Sequence, residues 1–577
     1  MKMGETEMKR YFSLLLAAIL CLLMICPMAQ AEELEPKDKN AIYAALLDAD
    51  IATLRKAIDS GLITCEELTA YYLERIDTYN ETYNCFITLF DDSLEKAREK
   101  DQLLAEGKAE GLLFGIPIVV KDNIHVKGYL TTNGLYKSDS KKSKTNAEIV
   151  ENLLEQGAII LGKANMSAEA GSAKYSISRS VGETKNAYSI YLRSGGSSGG
   201  SAVATSLNFA AASLGTDTRS SLRIPAALNG CIALRPTKGL VPQDGIILVS
   251  RRRDTAGTIT RTVLDQAIML DAMLGTDFTE NLNGNVLEGM RIGILTTLSE
   301  HRQADPEVIA TFQQAVENLK SCGVEVIEVS MPSLNRLSEA VDGSTSNTEI
   351  KAFAKKFEDL LEKNEISAVI FPTYLHAPQH TGKDENGKNW NKVEQLWLNN
   401  CKDLSPNAGV PEITIPIGMH SRGASIGMEI AAARNADQLL LNIAYSYTQR
   451  FDHRVIPGGA PDLYAEDYVS DLATLIAEYE AGTWPAPETV PTEPPTEPPT
   501  EPTTVPTTVP ATEAPTTVPE SVPTTAAPTT LAPETQPEAD KTPDYATLAI
   551  SGAVAVVSLG TVIILLAQRR KKEKVTQ

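Results

Sequence analysis

FGIPIVV at 114–120 is a short, continuous apolar run rich in β-branched side chains. A run of this length and composition fits a strand buried on both faces. Beyond it, Glu148 to Gln156 carries helical spacing, Gly157 is a stop signal, and AIIL at 158–161 predicts the next strand. Strand, helix, strand in that order predicts an α/β layered fold. Upstream, Ile42, Leu46, Leu47, Leu54 and Ile58, then Leu68, Tyr72 and Ile76, predict helix across 39–80. Downstream, the Ala-rich stretch from Ala202 to Leu214 predicts a buried helix. MRIGIL at 290–295 predicts a strand, Pro306 to Ser321 a helix, and VEVIEV at 324–329 a strand. Ile350 to Lys363 reads as helix and AVIFP at 368–372 as strand. ITIPIG at 413–418 and IGMEIA at 426–431 read as an antiparallel pair, followed by a helix over 436–450.

The ends of the 577-residue chain read differently from its middle. Residues 1–31 look like a secretory signal: Lys9 and Arg10, an apolar stretch from Leu14 to Ile25, and a small-residue site at Ala29-Gln30-Ala31. Tyr545 to Ala567 (545–567) is 23 residues without a charge, enough to span a hydrocarbon core of about 30 Å. Arg569, Arg570, Lys571, Lys572 and Lys574 follow within 568–577, which predicts a cytoplasmic tail and everything upstream outside the cell. Between core and span, 485–541 is built from Pro, Thr, Glu, Val and Ala, the composition of an extended stalk. The globular part is then 32–484, long enough for one large core or two domains. A net charge of −21 gives no sign of nucleic-acid binding. Cys65, Cys85, Cys231, Cys322 and Cys401 are scattered without a CxxC spacing, so they suggest neither a disulfide scaffold nor a zinc site.

Three short segments carry the chemistry. Lys121 ends the apolar run in VVKDNI at 119–124. A lysine at a strand end is ordinarily solvated; a buried one loses stability as an ammonium and can serve as a neutral base. GGSSGGSA at 195–202 is glycine-rich but lacks the P-loop pattern, and its glycines allow close backbone approach. TDTRSSLRIPA at 216–226 holds Ser221, and a serine hydroxyl needs a base to become a nucleophile. The usual base is histidine, yet none of the six histidines lies in these loops; His125, four residues past Lys121, is the nearest.

Together these segments, with LNGCIALRPTKG at 228–239, GKANM at 162–166, DTAG at 254–257 and NAGVPEITIPIG at 407–418, resemble the amidase signature family from about residue 40 to 457. The resemblance implies a large mixed β-sheet covered by helices on both faces. It implies Ser221 as nucleophile, Ser197 as a bridging serine after a cis peptide bond, and Lys121 as base, with no cofactor and no metal. Backbone N–H groups of Thr218, Arg219, Ser220 and Ser221 would form an oxyanion hole, with Asp217, Arg223 and Ser198 in support. The family usually has two glycines where this chain has Arg219 and Ser220. Arg219 therefore either packs outward or favours a substrate bearing a carboxylate. The expected function is an extracytoplasmic, membrane-anchored amidase acting on a small-molecule or peptide amide. The alternatives are a cell-surface binding protein on an inactive amidase scaffold and a component of a transamidase that works on charged tRNA; an export signal argues against the last.

Overall fold

The apolar run at 114–120 supplies the strand it predicts, set slightly later at Pro117–Lys121 and buried at every position. In the computed structural model, residues 36–334, 347–381, 399–465 and 470–484 are described. The strands in chain order are β1 (Phe86–Leu89), β2 (Pro117–Lys121), β3 (Ile159–Ala164), β4 (Ile177–Ser178), β5 (Gly182–Glu183), β6 (Ala212–Asp217), β7 (Ile232–Arg235) and β8 (Thr255–Thr260). After these come β9 (Arg291–Leu295), β10 (Glu325–Val329), β11 (Ala368–Pro372), β12 (Glu412–His420) and β13 (Ala424–Ala432). Among the described residues, eleven of them form one sheet in the order β1-β3-β2-β6-β8-β7-β12-β13-β11-β9-β10. β3, β2 and β6 run parallel, as do β11, β9 and β10, while the strands between them pair antiparallel. The sheet is therefore mixed, with helices packed along it, as the α/β reading requires.

The helical reading of 39–80 holds as three helices, Pro36–Ala45, Ile51–Asp59 and Cys65–Tyr83. The breaks fall at caps. Asp50 accepts from the Thr53 N–H at 2.7 Å, and Thr64 with Glu67 forms a capping box. The prediction of a helix from Ala202 to Leu214 is corrected. The helix is Gly199–Ser206, and 212–217 is strand β6. An Ala-rich run does not itself distinguish the two states. Asn208 adopts a left-handed backbone (φ 56°) that ends the helix. Buried Arg75 then donates to the Leu207 and Asn208 carbonyls at 3.0 and 3.2 Å. Beyond that turn, β2 and β8 offer ladder partners on both sides, and pairing overrides propensity.

The predicted signal at 1–31, the stalk at 485–541, the span at 545–567 and the basic tail lie outside the described residues. Among the described residues, no helix is long and apolar enough to cross a membrane. All five cysteines predicted to remain after the leader are free thiols.

Candidate active site

Parallel neighbours β2 and β6 end side by side, and their carboxyl ends carry Lys121 and Thr216-Asp217. In open α/β sheets ligand sites form outside such ends. Lys121 is fully buried. Its Nζ lies 2.8 Å from Ser197 Oγ, 2.8 Å from Thr216 Oγ1 and 3.3 Å from the Thr216 carbonyl oxygen. Burial pushes the amine down to about 7, against the opposite pull of Asp217 and Asp254. A neutral amine has two N–H donors and one lone pair. The two Thr216 oxygens can take both donors, which aims the lone pair at the Ser197 hydroxyl. Thr216 Oγ1 is itself held by Asn123 Nδ2 at 3.0 Å. Behind Lys121, buried Asp122 pairs with Lys163 at 3.3 Å and accepts from the Thr132 N–H at 3.0 Å.

The glycine–serine loop wraps this amine. Gly195 has φ 72°, and a Cβ on Gly196 would overlap the Tyr175 carbonyl oxygen, so both positions need glycine. The Gly196–Ser197 peptide bond is cis. Ser176 Oγ lies 3.2 Å from the carbonyl oxygens of Gly195 and Ser197 and accepts from the Gly199 N–H at 2.8 Å. The Ser198 N–H donates to the Ser221 carbonyl at 3.1 Å, tying this loop to the second serine segment. The Ser198 hydroxyl faces the Thr216 backbone, 3.3 Å from its carbonyl oxygen.

Buried guanidiniums brace the segment around Ser221. Burial alone would raise the Asp217 carboxyl, but the adjoining Arg223 and Arg235 outweigh it and hold the group below the usual carboxylate range. Arg223 Nε lies 3.2 Å and Arg235 Nη1 3.0 Å from Asp217, which also accepts from the Leu222 N–H at 3.2 Å. Arg223 further contacts the buried carboxylates of Glu412 and Glu429 and donates to the Arg219 carbonyl at 2.7 Å. Arg235 donates to the carbonyls of Asp217 and Arg253. Asn399 Nδ2 donates to Ser220 Oγ at 2.8 Å.

Thr218, Arg219, Ser220 and Ser221 all line a cavity of about 1300 Å³. Lys121, Ser197, Ser198, Asp217 and Arg223 are buried and do not line it. The cavity therefore reaches Ser221, while the lysine lies away from bulk water. His125 does not line it; His301, which no motif marks, does. Sequence reasoning also misses Thr216, Ser176, Arg235 and Asn399. Of these, only Thr216 and Arg235 sit in a recognisable motif.

Comparison with known proteins converges on one family. A family model described as Amidase matches residues 67–342. A glutamyl-tRNA(Gln) amidotransferase subunit from Thermoanaerobacter pseudethanolicus is 27% identical over 476 residues, covering 70% of this chain and 96% of that protein. Its namesake from Lawsonia intracellularis is 37% identical over 297 residues, 49% of this chain and 60% of its own. Among solved structures, the native peptide amidase from Stenotrophomonas maltophilia matches with a TM-score of 0.63 at 28% identity, covering 71% of this chain and 98% of that one.

Proposed function

The chain belongs to the amidase signature family, and from that premise we propose that it hydrolyses a carboxamide through a Ser221 acyl-enzyme activated by Ser197 and Lys121. The observation that carries this reading is a buried amine, pushed down to about 7, within 2.8 Å of the Ser197 hydroxyl.

Lys121 Nζ takes the Ser197 proton while Ser197 takes that of Ser221. The freed Ser221 oxygen attacks the amide carbon, and the carbonyl oxygen gains negative charge. Backbone N–H groups of residues 218–221 are suited to that charge, and losing one such donor typically costs about 3 kcal/mol. Collapse breaks the C–N bond as the relayed proton returns through Ser197 to the departing nitrogen. Water then attacks the ester by the same relay and releases the acid. Asp217, Arg223 and Ser198 act by holding the loops.

The test is labelling of Ser221 by a fluorophosphonate together with turnover of an amide panel. Ser221→Ala and Lys121→Ala should each lower turnover by about 10⁴-fold or more. Absent labelling and turnover in the wild-type protein would leave the reading of a binding protein on an inactive scaffold.

Peptide amidase and amidotransferase relatives carry different substrates in their names. We favour a free or peptide-terminal amide over charged tRNA, because 1–31 and 545–567 read as export signal and anchor. In this proposal the catalytic domain stands outside the cell on a stalk, with residues 568–577 inside. Amidase activity that pellets with carbonate-washed membranes and is released by protease added to intact cells would support it. Activity confined to the cytosol would remove it.

A further inference from the structure

Among the described residues, six lysines and arginines and two acidic residues, Glu300 and Asp403, line the cavity that reaches Ser221, in a chain whose net charge is −21. The positive charge is thus local to this wall. It comes from four separate segments: Lys174, Arg219, the run Arg251-Arg252-Arg253, and Lys402. Convergence of distant segments on one concave surface is unlike the solvated face of a single helix.

These segments are also fixed from behind. Buried Arg223 donates to the Arg219 carbonyl at 2.7 Å, and buried Arg235 donates to the Arg253 carbonyl. Asp254 accepts from the N–H groups of Val249 and Ser250 at 2.6 and 3.0 Å, shaping the turn that carries the arginine run. Asp403 offsets part of the charge, standing 3.9 Å from Lys402, and burial raises its carboxyl against the pull of Lys402, Arg219 and Arg253. Arg219 belongs to the nucleophile segment itself and lines the cavity.

We propose that this cleft selects carboxamides bearing a carboxylate away from the scissile bond, with Arg219 and the 251–253 arginine run as the anion-binding wall. Arginine forks match carboxylates bidentately, and loops held in place lose little entropy on binding. The inference rests on Ser221 as the reacting group, since that fixes which end of the substrate is cleaved.

The experiment compares matched amides on full-length protein: succinamate with butanamide, glutaramate with pentanamide, and adipamate with hexanamide. The best carboxylated amide should exceed its neutral partner in kcat/KM by about tenfold or more. That ratio should shrink with added salt, because exposed charges such as Arg251 are screened. Arg251→Gln and Arg219→Gly should each lower the ratio, chiefly through KM. A ratio near one in the wild type, or a ratio that neither substitution moves, overturns the proposal. Should no amide be turned over, the catalytic reading fails separately. Calorimetric binding of adipamate and hexanamide to Ser221→Ala protein then decides: tighter binding of adipamate sustains anion selection, and equal or absent binding ends it.

Discussion

Lys121 Nζ and Thr216 Oγ1 stand 2.8 Å apart at the ends of adjacent parallel strands, and that pairing orients the amine. Without the Thr216 hydroxyl, the more distant Thr216 carbonyl at 3.3 Å and the Ser197 hydroxyl are left to receive the hydrogens of the amine. Its lone pair is then no longer confined to the Ser197 side. Thr216→Val should lower kcat by about tenfold to a hundredfold, the range expected when a reacting group loses alignment. Fluorophosphonate labelling of Ser221 should slow in parallel. Thr216→Ser keeps the oxygen and should recover most of the rate. If the serine variant is as slow as the valine variant, Thr216 acts by packing and not by its hydroxyl.

The pH–rate profile tests the amine directly. Lys121 is displaced from its ordinary 10.5 down to about 7, so it is ammonium below that pH and neutral above. An ammonium has no lone pair for the Ser197 proton. The predicted kcat/KM rises about tenfold per pH unit below the midpoint and levels off above it. A profile flat between about pH 5 and 9 would contradict the assignment of the base. A neutral amide is the substrate for this measurement, so that no titration of the substrate overlaps that of the amine.

The same displacement affects stability with a definite sign. Between about 7 and 10.5 the unfolded chain holds a proton on Lys121 that the folded protein lacks. Unfolding therefore takes up protons in that window, and stability rises with pH through it. The penalty from burying this lysine is complete below about 7 and fades toward 10.5. Lys121→Met has no such titration. Wild type should thus lose ground to Lys121→Met in thermal unfolding as pH falls from about 9 to about 7, with the difference constant below that. A difference that does not change with pH would mean that the amine stays charged in the folded protein.

How much of this is legible in the sequence differs by residue. Lys121, Ser197 and Ser221 sit in short segments whose residue types carry chemistry, and the structure brings Lys121 and Ser197 into contact. The strand ending at Lys121 is readable because a short β-branched run has few other uses. The register that sets β2 against β6 is not readable, and it is this register that brings Thr216 to the amine. The run from Ala202 to Leu214 reads as one helix, yet alanine permits a strand when partners exist on both sides. Ser176 belongs to no motif, although its hydroxyl touches three backbone groups of the glycine loop. Arg235 lies in a motif, but its reach to the carbonyls of Asp217 and Arg253 depends on the fold. The cavity's charge is half visible: Arg219 stands out against the usual glycine, while Lys174 and Lys402 join it only in three dimensions.

Arg223 is, among the described residues, the guanidinium in contact with Asp217, Glu412 and Glu429 together. All four side chains are buried. Burial also raises the Glu412 carboxyl, against the pull of Arg223. Removing the cation leaves carboxylates in a dry interior without their shared partner. Breaking one side of such an arrangement typically costs about 3–5 kcal/mol. Arg223→Met should therefore lower unfolding stability by that order in a denaturant titration. It should also free the Arg219 carbonyl and loosen the Ser221 segment, so activity should fall beyond what the lost stability explains at temperatures where the variant stays folded. Arg223→Lys keeps the charge but cannot span Asp217, the glutamates and the Arg219 carbonyl at once. It should recover stability more than activity. Equal recovery of both would mean that the charge alone matters and that the fork's grip on the 219 backbone does not.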